Sequence, residues 1–264
     1  MSNPTVHQLF DLFGRVALIT GASGWLGSAM AAALAEAGAT VVVASRDAEK
    51  SKEAADALTT EKGNRHHAVV LDQLDETSIQ SGFAEAVAVA GKVDILINNG
   101  HAADGHDHTD VTADQFNQVL ANTTGWFLLA RCLREHLVER EAAGNIVNIG
   151  SMYGQVASYP ETYEDICPGS PVSYHALKGG IIHMTRHLAV YWARDNIRVN
   201  CLSPGPFPGP SVPAGLPERL NEKSPMGRMG EPHELKGALL LLASDAGSYI
   251  TGQNLTVDGG WTAW

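Results

Sequence analysis

Through the first hundred residues, short runs of β-branched and other apolar residues alternate with longer alanine-rich stretches whose apolar positions recur at helical spacing. Residues 16–20, 40–44, 66–71 and 93–97 predict buried strands, because a run apolar at consecutive positions leaves neither face for water. Helices are predicted near 25–37, 48–61 and 76–90. A strand–helix–strand repetition of this kind predicts a parallel sheet wound in both directions, with helices on both faces.

The same alternation continues at lower density. A long helix is predicted over 112–140, opened by the capping-box sequence Thr112-Ala113-Asp114-Gln115 and carrying Asn122 in its middle, where asparagine is mildly unfavourable. A strand follows at 145–149. Residues 155–172, broken by Pro160, Pro168 and Pro171, read as an inserted loop. The helix bearing Tyr174 comes next, then a strand at 197–202. The run 203–210 carries four prolines, so it predicts a stiff wall rather than an element. Residues 204–230 are expected to form a lid, 231–244 the last helix, and 249–260 a turn and an edge strand. The expectation is an α/β chain: one Rossmann-type doubly wound parallel sheet in a single domain spanning 1–264, with 1–13 as an N-terminal extension.

Composition narrows the function classes. A formal charge of −11 lacks the basic footprint that nonspecific nucleic-acid binding requires. No apolar run reaches the roughly 18 residues of a membrane-spanning helix, and residues 1–13 do not have the pattern of a secretion signal. Cys132, Cys167 and Cys201 are odd in number and without metal spacing, as expected of reduced thiols in a cytoplasmic protein.

The candidate chemistry collects where strands end. Thr20-Gly21-Ala22-Ser23-Gly24-Trp25-Leu26-Gly27 lies between a predicted strand and a predicted helix, where glycines let backbone N–H groups approach a pyrophosphate. The second strand exits as Ser45-Arg46-Asp47. Ser45 and Arg46 suit a 2′-phosphate, which favours NADP(H) while leaving NAD(H) open; otherwise Arg46 is a solvated loop residue. Asp72 follows the third strand and can accept from an adenine amino group or cap a helix. Asn98-Asn99-Gly100 follows the fourth, at the edge where such sheets bind ligands. The loop 101–110, with His101, His106 and His108 among aspartates, reads as a polar rim more readily than as a metal site. Ser151 ends the fifth strand. Tyr174 and Lys178, four apart, share a helical face, and a fixed cation beside a phenol lowers its pKa toward the range of a general acid or base.

Taken together, the glycine turn, Asn98-Asn99-Gly100, Asn122, Ser151, the Tyr174/Lys178 pair, the Pro204-Gly205 turn and the Thr251-Gly252 to Gly259-Gly260 ending resemble the short-chain dehydrogenase/reductase family over about residues 14–260. The resemblance implies Tyr174 as general acid/base, with Lys178 binding the nicotinamide ribose and lowering the phenol pKa. It implies Ser151 as the group orienting the substrate oxygen and Asn122 as holder of a relay water. Asn98 would support the central cofactor region, and Pro204, Gly205 and Phe207 would face the nicotinamide amide.

Three features depart from the family pattern. Trp25 stands where a glycine is usual and Gly24 comes one place early. Asn98-Asn99 continues as Gly100-His101, and Ser151 and Tyr174 are 23 apart where about 13 is common. The opening 9–16 and the stretch 203–208 are similar to gluconate 5-dehydrogenase-like members, and the inserted loop to that of reductases acting on sugar derivatives. His101, Tyr153 and Tyr163 are the candidate substrate contacts, which favours a small polar molecule: a sugar, polyol or sugar acid interconverted with its keto form. The alternatives are a 3-oxoacyl thioester reductase and a noncatalytic NADP-binding sensor. Trp261 and Trp264 are expected to pack either within the chain or against another subunit, and the resemblance implies a homodimer or homotetramer.

Overall fold

The computed structural model describes residues 3–264; Met1 and Ser2 of the N-terminal extension lie outside them. The extension carries a short helix α1 (Val6–Phe10), opened by a Thr5/Gln8 capping box. Then come β1 (Val16–Thr20), α2 (Trp25–Glu36), β2 (Thr40–Ser45), α3 (Ala48–Asp56), β3 (His67–Val70), α4 (Glu76–Ala90) and β4 (Ile95–Asn98). The second half runs α5 (Ala113–Glu139), β5 (Gly144–Ile149), α6 (Pro160–Tyr163), α7 (Val172–Trp192), β6 (Ile197–Pro204), α8 (Leu216–Lys223), α9 (Lys236–Ala243) and β7 (Asn254–Val257).

All seven strands pair in parallel in the order β3-β2-β1-β4-β5-β6-β7. Alternate residues of a strand face opposite sides, which divides the core in two. Ala17, Ile19, Val41, Val43, Ile95 and Ile97 pack with α2 and α9 residues such as Met30, Leu34, Leu239 and Leu242. Val16, Leu18, Val42 and Leu96 pack with Ile79, Phe83, Leu129, Leu133 and Trp192 of α4, α5 and α7. The strand order reverses between β1 and β4, and the crevice beyond their carboxyl ends is where such a sheet takes a ligand.

Several boundaries differ from the sequence expectation for local reasons. β3 starts at His67 because His66 turns its ring aside: Nδ1 accepts from the Val41 N–H and Nε2 lies 2.9 Å from the Thr59 carbonyl. β4 starts at Ile95, with the preceding Asp94 carboxylate accepting from the Val16 N–H at 2.9 Å and paired with Lys92 and Arg140. α3 ends at Asp56, five residues early. The insertion 155–172 contains one turn of helix, α6, begun by Pro160, whose missing N–H costs nothing at that position. Residues 231–244 divide into a 3-10 turn and α9. Trp261 is buried among Met152, Tyr153, Leu216 and Leu220, edge-on to Tyr159, whereas Trp264 is exposed.

Candidate active site

The turn after β1 is built for close approach. Gly21 has φ +67°, and a Cβ there would stand 2.7 Å from the Gly100 Cα; a Cβ on Gly27 would stand 2.1 Å from the Gly21 carbonyl oxygen. Side chains at either place would push the β1 and β4 turns apart or lift α2. Thr20 and Asn99 join the two turns. The Thr20 Oγ1 accepts from the Asn99 and Gly100 N–H groups at 3.0 and 2.9 Å, and the Asn99 Nδ2 donates to the carbonyls of Thr20 and Gly21, both at 3.0 Å. α2 begins at Trp25 behind Gly24, which supplies no side-chain cap, so first-turn N–H groups point outward for an anion. Ser23 and Trp25 are exposed at this mouth, while Leu26 turns inward against the core.

A crevice extends from this turn along Ser45, Arg46, Asp72, Gln73, Gly100 and His101. Arg46 is exposed at its rim, and Ser45 is held by a 2.6 Å contact with the Ser51 hydroxyl. Asp72 keeps its turn closed by accepting from the Leu74 N–H at 3.0 Å. Asn98 is fully buried beneath the crevice floor, donating to the Trp126 carbonyl and the Asn148 Oδ1, and so acts on the floor from below. The glycine cradle, the uncapped helix end and the long polar crevice together fit an extended dinucleotide.

α5 fixes the far wall. The Asn122 carboxamide accepts from the Ala102 N–H at 2.8 Å and the Gln73 Nε2 at 2.5 Å, and donates to the carbonyls of Ala102 at 3.0 Å and Val119 at 2.7 Å. Its four hydrogen-bonding positions are filled by protein, so the side chain holds the His101–Ala102 segment in place. One turn on, Gly125 lies against the Gln73 carbonyl, where a Cβ would stand only 1.9 Å away. Trp126 donates from Nε1 to the Gly100 carbonyl at 2.8 Å. Gln73 and Trp126 were not singled out from the sequence, and Thr20 and Asn99 entered only as members of their turns. Only the glycine within a predicted helix, Gly125, signalled a close approach there.

Tyr174 and Lys178 lie one turn apart on α7, opposite Ser151 at the end of β5. Lys178 is buried, donates to the Ile149 carbonyl at 2.6 Å, and stands 4.9 Å from the centre of the Trp126 ring and 5.5 Å from that of Tyr174. Burial pulls its pKa down to about 8. Burial raises the Tyr174 pKa, with Ser151 acting in the opposite sense. The direction is opposite to the lowering expected from Lys178, and burial is its largest cause. The Ser151 Oγ also accepts from the Tyr153 N–H at 3.1 Å.

A second cavity of about 430 Å³ opens beside the first, lined by Ser151, Tyr174, Tyr153, Tyr163 and Phe207, with Leu216 and Leu220 of α8 above. His101 borders both cavities, with its ring 5.9 Å from that of Tyr174, and burial followed by the Lys178 charge lowers its pKa, leaving it neutral at neutral pH. Pro204 ends β6. Gly205 lies tight against Asp258, where a Cβ would meet the Asp258 Cα at 2.5 Å, and Phe207 stands between the cavity and Gly230. The insertion brings in Tyr163, whose hydroxyl is 2.5 Å from that of Tyr153. Arg219 of α8 ties the insertion down through the carbonyls of Glu161 and Glu164.

Comparison with known proteins agrees with this geometry. The family described as Enoyl-(Acyl carrier protein) reductase matches residues 21–262. The chain is 37% identical over 265 residues to galactitol 2-dehydrogenase (L-tagatose-forming) of Cereibacter sphaeroides, covering 98% of this chain and 99% of that one. It is 35% identical over 274 residues to the NADP-dependent mannitol dehydrogenase of Hypocrea jecorina, covering 98% and 97%. Among solved structures, a gluconate 5-dehydrogenase from Burkholderia cenocepacia, in complex with NADP and tartrate, superposes with a TM-score of 0.88 at 30% identity, covering 98% of this chain and 100% of that one. With its parallel sheet, glycine-lined crevice and paired Ser151 and Tyr174, the chain belongs to the short-chain dehydrogenase/reductase family, whose nicotinamide-dependent oxidoreductases act on CH–OH groups of small molecules.

Proposed function

We propose that this chain is an NADP(H)-preferring dehydrogenase that interconverts a polyhydroxylated secondary alcohol, of the sugar, polyol or sugar-acid class, with its ketone. The observation that carries this reading is the shared wall of the two cavities: Ser151 and Tyr174 line the larger one, which meets at His101 the crevice that the glycine turn opens. The galactitol and mannitol dehydrogenases among its relatives support the substrate class.

When bound in the crevice, the nicotinamide accepts or supplies the hydride. Gly21, Ser23, Gly24 and the first N–H groups of α2 hold the pyrophosphate, and Ser45 and Arg46 hold the 2′-phosphate. Asp72 faces the adenine side. Tyr174 gives a proton to the carbonyl oxygen during reduction and takes the hydroxyl proton during oxidation, while Ser151 fixes that oxygen beside it. Lys178, held by the Ile149 carbonyl, would bind the nicotinamide ribose. Asn122 keeps the wall rigid through Ala102. Residues 204–230 and the insertion close over the substrate, positioning His101, Tyr153 and Tyr163 against its hydroxyls.

A thioester reductase serving an acidic carrier protein needs a free basic patch. Arg131 is paired with Glu76 and Glu135, and Arg134 with Asp195, which weighs against that reading. Three free cysteines fit a reducing, cytoplasmic setting. The exposed Val190 and Tyr191 of α7 and the exposed Trp264 fit a homodimer or homotetramer. Replacing Tyr174 with Phe should lower kcat roughly a hundredfold or more while leaving the Kd for NADPH, measured by fluorescence titration, within a few-fold. A Y174F enzyme of near-normal kcat would remove Tyr174 from the chemistry.

A further inference from the structure

The charge of the substrate can be read from the walls of the second cavity. Its polar groups are the hydroxyls of Ser151, Tyr153, Tyr163, Ser170, Ser173 and Tyr174, the neutral imidazole of His101 and the carboxylate of Asp104. Burial is the first cause that raises the pKa of both Tyr153 and Tyr163, so both are neutral phenols, joined by a 2.5 Å contact. The Ser173 Oγ is buried without a partner. Asp104 presents its Oδ1 to the His106 Nδ1 at 2.5 Å, on the side toward Gln115 of α5, while its Oδ2 is buried with no partner.

Among the described residues no lysine or arginine lines this cavity, and the cations of residues 204–230 and of the reacting end have partners elsewhere. Arg219 donates to the carbonyls of Glu161 and Glu164 at 2.9 and 2.5 Å. Lys223 pairs with Glu161 at 2.7 Å. Arg228 makes two parallel bonds to Glu234 at 2.8 and 2.7 Å. Lys178 is held at the reacting end by the Ile149 carbonyl. A carboxylate entering this space would leave water without meeting a lysine or arginine on its wall, where the acidic side chain is Asp104, paired through Oδ1 with His106. A hydroxyl entering it would find neutral phenols and the Asp104 side chain on the wall.

We infer that the cavity selects neutral polyhydric alcohols and their ketones against sugar acids of the same length, and that Asp104 is the residue that sets this choice. The inference rests on the dehydrogenase reading above and narrows it to the uncharged members of its substrate class.

The test compares kcat/KM for oxidation of six-carbon polyols, galactitol and D-mannitol, with that of the six-carbon aldonates, D-gluconate and D-galactonate, using NADP⁺ at low ionic strength. The better polyol should exceed the better aldonate by roughly tenfold or more, and Asp104→Asn should shrink that ratio several-fold while Asp104→Glu preserves it. The ratio is the readout because partial loss of folded enzyme leaves it unmoved. An aldonate equal to or better than the polyols overturns the inference while leaving the dehydrogenase reading intact. A ratio that D104N does not change removes Asp104 as the determinant. If neither class is oxidised with NADP⁺ or NAD⁺, the function itself falls, and the inference with it.

Discussion

Gly125 offers a test in which two physical effects have opposite signs. In an ordinary helix interior, Gly→Ala is stabilising by about 1 kcal/mol, because alanine loses less backbone freedom on folding. Here the added Cβ would stand 1.9 Å from the Gln73 carbonyl oxygen, so α5 or the 72–74 turn must retreat by more than an ångström. Overpacking of this kind costs roughly 1–3 kcal/mol. Moving Gln73 also breaks its 2.5 Å hydrogen bond to the Asn122 Oδ1, for about 1 kcal/mol more. The net is a destabilisation of roughly 2 kcal/mol, which for a chain of this size lowers Tm by about 4–8 °C. The displacement passes through Asn122 to Ala102 and His101, so kcat/KM should fall as well. Differential scanning calorimetry of Gly125→Ala with and without NADPH is the measurement. A Tm equal to or above that of the parent protein would mean that helix propensity dominates and that the close approach of α5 to Gln73 is unimportant.

Three other outcomes follow from the same geometry. Arg46→Ala removes a charge-assisted contact worth about 1.5–3 kcal/mol, so an NADP(H) preference of tenfold or more in kcat/KM should fall by roughly 10- to 100-fold, with NAD(H) activity little changed; equal loss with both cofactors would place the phosphate elsewhere. Burial raises the Tyr174 pKa, so alcohol oxidation, which needs the phenolate, should keep climbing through the alkaline range, whereas ketone reduction, which needs the phenol, should not. Initial rates in both directions decide this, and an oxidation rate already flat at neutral pH counts against it. Asp94 is held below the usual carboxylate range although burial, its largest influence, pushes upward: the Lys92 hydrogen bond, the Val16 N–H and Arg140 prevail together. Its stabilisation is present above the unfolded pKa of about 4 and is lost as pH falls through the lower folded value. Asp94→Asn should cost roughly 3 kcal/mol, or about 6–12 °C in Tm, at neutral pH, and the difference from the parent should narrow in acid.

What could be read directly from residue order was whatever depends on near neighbours. Alternation of apolar runs reveals strands and helices, a glycine turn between them reveals a phosphate cradle, and a four-residue step places Tyr174 and Lys178 on one face. Those relations survive because helix and strand periods are properties of the local backbone. The pairing of Gln73 with Asn122, 49 residues away, and of Thr20 with the turn 79 residues later had no such signal. Nor did the short α6, pinned by Arg219 across 58 residues. The sign of the Tyr174 shift was legible as chemistry only after its surroundings were known. Charge attraction to Lys178 follows from sequence spacing, but desolvation depends on every atom that displaces water, and those atoms come from β5, α7 and the residues beyond β6. The charge selection inferred above has the same origin. The composition of 204–230 shows arginines and a lysine, and it took the packed fold to spend each of them on a glutamate or a carbonyl, leaving Asp104 as the one charged group on the cavity wall.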